Sequence, residues 1–60
     1  MDKILNIIKF SKEIKVIAYE YDGDVLVGGC EYRKRKSSKQ IAYEIAKWEN
    51  LGYRYVGHKA

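Results

Sequence analysis

The dipeptide Asp22-Gly23 stands between two stretches of alternating apolar and polar residues, Glu13–Tyr21 and Asp24–Arg33. Asp-Gly suits the two-residue type I′ turn, because that turn needs positive φ at its central positions. The pair therefore predicts a hairpin in which Tyr21 faces Asp24, Tyr19 faces Leu26 and Ile17 faces Gly28. One face then carries Ile14, Val16, Ala18, Val25 and Val27 and reads as the core side. The other carries Ile17, Tyr19, Tyr21, Leu26, Cys30 and Tyr32 and is also largely apolar, which is unusual for a small sheet with one wet side. That second face is expected to be covered by an N-terminal helix, by a second copy or by a target.

Downstream, Ser37–Leu51 predicts a helix. Ser37 and Gln40 have capping-box spacing and Gly52 supplies the C′ position. Ile41, Ile45 and Trp48 form its apolar stripe, flanked by Ala42 and Leu51, while Tyr43, Lys47 and Asn50 point away. Tyr53–His58 reads as a closing strand that runs parallel to the second hairpin strand and lies beside the first. At 100° per residue, Ile4, Leu5, Ile7, Ile8 and Phe10 segregate from Asp2, Lys3, Asn6 and Lys9, so Asp2–Phe10 predicts a short amphipathic helix, with a strand as the alternative. The expected fold is α+β: a small three-stranded, mainly antiparallel sheet in the order α-β-β-α-β. One long helix packs on it, with a short N-terminal helix or fourth strand, in a single domain spanning 1–60.

A domain of 60 residues buries only roughly 60% of its unfolded surface and is marginal alone. One cysteine excludes an internal disulfide, and one histidine excludes the usual Cys/His zinc patterns. Association is the remaining support, so a homodimer is expected. No apolar run approaches ~18 residues and the first ten residues lack a signal-peptide core, so no membrane partner is expected and the chain is placed in the cytoplasm.

The net charge is +4, and its location matters more than its sum. Arg33, Lys34, Arg35, Lys36 and Lys39 contribute five positive charges within seven residues, and the remaining 53 sum to −1. Such a knot at a helix N-terminus suits a phosphate or an acidic protein surface. The tyrosines Tyr19, Tyr21, Tyr32 and Tyr43 are of the type that anchors interfaces. These nine residues form the expected partner-binding set.

Chemistry is not expected. Val27-Gly28-Gly29-Cys30 lacks phosphate-loop spacing, and its glycines predict a bulge or a close approach of an opposing layer such as Trp48. Cys30 and His58 have no orienting third group. Glu20, Asp22 and Asp24 read as turn and surface residues. Neither a cofactor nor a metal is implied, and the chain is expected not to be an enzyme.

The stretch from Tyr21 to Leu51 resembles the second half of a double-stranded RNA-binding domain, a family that ends with a hairpin, a basic Ser-Lys-Lys segment and an alanine-spaced helix. Ser38-Lys39, Ala42 and Ala46 fall on that pattern, and the resemblance implies that Lys36 and Lys39 contact phosphates across a groove. In size and in its Ile, Lys and Tyr content the chain is also similar to small accessory proteins of phages and mobile elements. That similarity implies a stoichiometric inhibitor of a host protein or nucleoprotein complex, of the anti-CRISPR kind. The alternative is a nucleic-acid-binding miniprotein that uses the basic 33–39 segment.

Overall fold

The computed structural model describes residues 2–56. The chain runs β1 (Asp2–Lys9), β2 (Glu13–Asp22), β3 (Val25–Arg35), α1 (Ser38–Asn50) and β4 (Arg54–Tyr55). It is an α+β fold with one helix packed on a four-stranded mixed sheet of order β3-β2-β1-β4. β1 pairs antiparallel with β2 and β2 antiparallel with β3, whereas β4 joins β1 in parallel.

The N-terminal segment is a strand, which corrects the expected helix and raises the strand count from three to four. Its helical segregation of apolar residues is real but weak as a cause of structure, since an isolated helix of this length is marginal in water. As a strand it pairs along both edges and sends Leu5 and Ile7 into the core, where both are fully buried. Ile4, Asn6 and Ile8 point to the opposite face, so both sides of this central strand are apolar in part. β1 also takes the place beside β2 that the closing strand was expected to fill, and β4 lies beside β1 instead. Its direction, parallel to β3, is as expected. Gly57 and His58 of the expected closing strand, and with them the Cys30–His58 pair, lie outside the described residues.

The hairpin forms at the expected place with a different turn. Asp22 pairs with Val25, so the two loop residues are Gly23 and Asp24. Gly23 has φ +64°, and among the described residues no non-glycine residue has positive φ. Positive φ at the first central position alone is the type II′ arrangement rather than type I′. A bulge follows: Tyr21 faces Leu26 while Glu20 faces Gly28, leaving Val27 as the extra residue. The bulge expected from Gly28-Gly29 is therefore present, one residue upstream. Turn and bulge together shift the register, so Val16 faces Tyr32 and Ala18 faces Cys30. Tyr32 and Cys30 consequently lie on the helix side, not with Tyr19 and Tyr21, while Val25 and Val27 are exposed rather than core. Close approach at Gly29 comes from β2 and not from Trp48: a Cβ there would sit 2.9 Å from the Ala18 carbonyl oxygen and 3.2 Å from Tyr19 Cβ.

α1 starts and stops as its caps dictate. Ser37 Oγ accepts the Gln40 N–H at 3.0 Å. At the other end Gly52 (φ +91°) and Tyr53 donate to the carbonyls of Glu49 and Trp48, each at 3.0 Å, which is a Schellman motif. Ile41, Ile45 and Trp48 pack on a core of Leu5, Ile7, Ile14, Val16 and Ala18, joined at the rim by Tyr32, Tyr53 and Tyr55. Ala42 and Leu51, expected to flank this stripe, are exposed, and Glu44 is buried in it.

Candidate functional site

The fold divides the nine expected binding residues among four places. Tyr19 and Tyr21 stay together on the sheet face that no helix covers, with ring centroids 5.8 Å apart and an edge-on packing. Leu26 pairs with Tyr21 across the hairpin, and Ile4 and Ile17 adjoin Tyr19. Asn6 lies between Ile4 and Ile8 on this face, and its Oδ1 is buried without a hydrogen-bond partner. Tyr43 is exposed on the outer side of α1, apart from the other tyrosines.

Tyr32 belongs to a polar network beneath α1. Its hydroxyl donates to Glu44 Oε1 and accepts from Trp48 Nε1 at 2.9 Å, and Gln40 Nε2 donates to the other Glu44 oxygen at 2.5 Å. The second half of the expected capping box is therefore not made, because the Gln40 side chain serves Glu44 instead. Lys34 and Lys47 place their ammonium groups 5.8 and 5.6 Å from the centroid of the Tyr32 ring. Glu44 is 1% exposed. Sequence reasoning missed it, although its spacing from Ile41, Ile45 and Trp48 puts a carboxylate at a position of the apolar stripe.

Burial, and then the hydrogen bond to Glu44, push the Tyr32 hydroxyl from its usual 10.0 up to about 12. A phenol whose folded pKa exceeds its unfolded value holds its proton longer when folded, so its stabilisation is intact below pH ~10 and is lost as pH rises towards 12. Melting temperatures measured from pH 8 to pH 12 should fall over that window, and Tyr32→Phe should flatten part of the fall. Tyr53, also raised by burial and by Glu20, accounts for a remainder.

The basic segment is not a loop. Arg33, Lys34 and Arg35 are the last residues of β3, so their side chains alternate between faces. Arg33 and Arg35 lie on the open face, where Arg33 Nη1 meets Glu13 Oε1 at 2.5 Å and the guanidinium sits 5.1 Å from the Phe10 ring centroid. Lys34 lies on the helix face. Lys36 leads to α1, and its N–H donates to the Lys12 carbonyl at 3.1 Å. Lys39 is in the first turn of α1, which holds no acid.

Strand pairing adds three cations distant in sequence. Lys9 faces Ile14, Ile14 faces Lys34, and Lys15 faces Arg33. Lys9, Lys12 and Lys15 thus join Arg33, Lys34, Arg35, Lys36 and Lys39, against Glu13 and Glu31 at this end, while the buried Glu44 is matched by Lys47 beside the Tyr32 ring. Glu31 is held by Lys15 at 3.1 Å. The net charge of this end is +6, larger than the +4 of the whole chain. Asp2, Glu20, Asp22, Asp24 and Glu49 lie at the opposite end with Lys3 and Arg54, a net charge of −3, so a molecule 34 Å long is electrically polarised along its strands.

Among the described residues no three of His, Cys, Asp and Glu converge to hold a metal ion. A shallow open hollow of about 530 Å³ lies along β2 and β3 beside Gly28 and Gly29. No helix among the described residues is long and apolar enough to cross a membrane. The hairpin, basic segment and helix implied by the partial resemblance occur in that order, but the chain matches no known family model, no curated protein and no solved structure at a significant level.

Proposed function

We propose that this chain is a non-enzymatic binding protein whose basic end docks on an acidic surface of a host protein or nucleoprotein complex. It acts stoichiometrically in the cytoplasm, as an inhibitor or regulator of the phage or mobile-element type, including the anti-CRISPR kind. The observation that carries this reading is the convergence of eight cations from β1–β2, β3 and α1 on one end. Attraction to an acidic partner grows with the number of like charges that can face it together. Tyr19 and Tyr21 add rigid aromatic area on the open face, nearer the hairpin tip than the basic end.

A second reading, direct binding of nucleic acid, is favoured by the acid-free first turn of α1 beside Lys36 and Lys39. The two separate by titration with duplex DNA and duplex RNA at ~150 mM salt. Binding at micromolar or tighter affinity, lost steeply with added salt, supports the second. Weaker duplex binding, with one identified acidic partner held at one copy per chain, supports the first. Replacing Arg33, Lys34, Arg35 and Lys36 together by alanine is expected to abolish binding in either case with the melting transition retained. Undiminished binding by that variant would refute both.

A further inference from the structure

β3 is the outermost strand on its side of the sheet, and among the described residues no strand lies against its outer row of N–H and C=O groups. Over 11 residues only Tyr32 is not exposed. A long bare edge is a template for another strand unless proline or charge protects it. The middle of this edge, Gly28-Gly29-Cys30, has neither, and a Cβ built on Gly28 meets nothing within 4 Å. Its two ends differ in charge: Asp22 and Asp24 lie at the hairpin tip, whereas Arg33, Lys34, Arg35 and Lys36 close the strand. Such an edge complements itself when a copy runs antiparallel.

We propose that two copies of this chain pair antiparallel along β3 about a two-fold axis at Cys30, giving one eight-stranded sheet. Directly opposite residues of an antiparallel pair project to the same face, so the helix-side residues Gly28, Cys30 and Tyr32 must meet one another. A register centred on Glu31 sets two carboxylates face to face. One centred on Tyr32 gathers Lys34 and Lys47 of both copies around two rings they already flank. The register centred on Cys30 puts Gly28 opposite the partner's Tyr32 and Gly29 opposite the partner's Glu31. Because Val27 is an extra residue, Asp24 falls one position nearer the axis and comes alongside the partner's Arg35. The bulge at Val27 confines the unbroken ladder to residues 28–32, and charge pairing holds the ends beyond it.

Sedimentation equilibrium of the full chain under reducing conditions at ~150 mM salt should give twice the chain mass at high micromolar concentration. Opposed Cα atoms ~4.5–5.5 Å apart are within disulfide reach. Diamide should therefore join the two Cys30 thiols, their two protons and two electrons reducing it to the hydrazine, with a yield that follows the dimer fraction. Asp24→Lys should weaken self-association roughly tenfold, through two ion pairs lost about the axis, and adding Arg35→Asp should restore it. A single-chain mass for the wild type, a dimer that diamide does not cross-link, or a double swap that fails to restore association would each overturn the proposal.

Discussion

Replacing Leu5 by alanine is expected to destabilise the fold by about 2–5 kcal/mol, the usual cost of truncating a fully buried leucine. Domains below ~70–80 residues rarely hold more than 3–5 kcal/mol in one core, so this one substitution should leave a large unfolded fraction at room temperature. Leu5 is fully buried in the central strand between β2 and β4. The control is Ile4→Ala. Ile4 points to the open face and is half-buried, so its loss should cost less than ~1.5 kcal/mol by the area it removes from contact. A helical N-terminus would put both residues on one side and make the two variants alike. Urea unfolding of the pair therefore reads the strand assignment directly.

The second large effect is expected at Glu44. Glu44→Ala removes the acceptor for both the Tyr32 hydroxyl and the Gln40 amide, and it should cost about 2–4 kcal/mol, because two part-buried donors lose their shared acceptor. Tyr32→Phe should cost less, about 1–2 kcal/mol, since it strips one bond from Glu44 and one from Trp48. The two losses should not add. In a double-mutant cycle, a coupling of about 0.5–3 kcal/mol would show that Tyr32 and Glu44 act as one unit joining β3 to α1. Additive losses would show that helix packing alone holds that strand.

What the residues disclose follows the range of the interactions behind each element. The caps of α1, the hairpin's location and the strand character of residues 13–33 rest on neighbours within a few positions, and all were readable. The turn type was less so: Asp22-Gly23 and Gly23-Asp24 both contain a glycine able to supply positive φ, and the choice between them moves the register by two. The bulge then moves it once more, which is why Tyr32 leaves the open face and joins Glu44. β1 misleads because its apolar residues segregate on a helical wheel and alternate poorly as a strand, whereas its state is decided by pairing with β2 and β4, the latter some fifty residues away. The basic cluster is legible in part as a linear run. Its extent in space is not, since Lys9, Lys12 and Lys15 join it only through strand pairing.

Heparin-affinity chromatography of paired neutralising variants probes whether cations from separate segments act as one surface. Lys9→Gln with Lys12→Gln, and Lys34→Gln with Lys36→Gln, should each lower the salt concentration of elution by a similar amount. Lys3→Gln with Arg54→Gln, at the far end, should lower it much less. A Lys9/Lys12 pair that elutes like the far-end control would contradict the assembly of a single basic end.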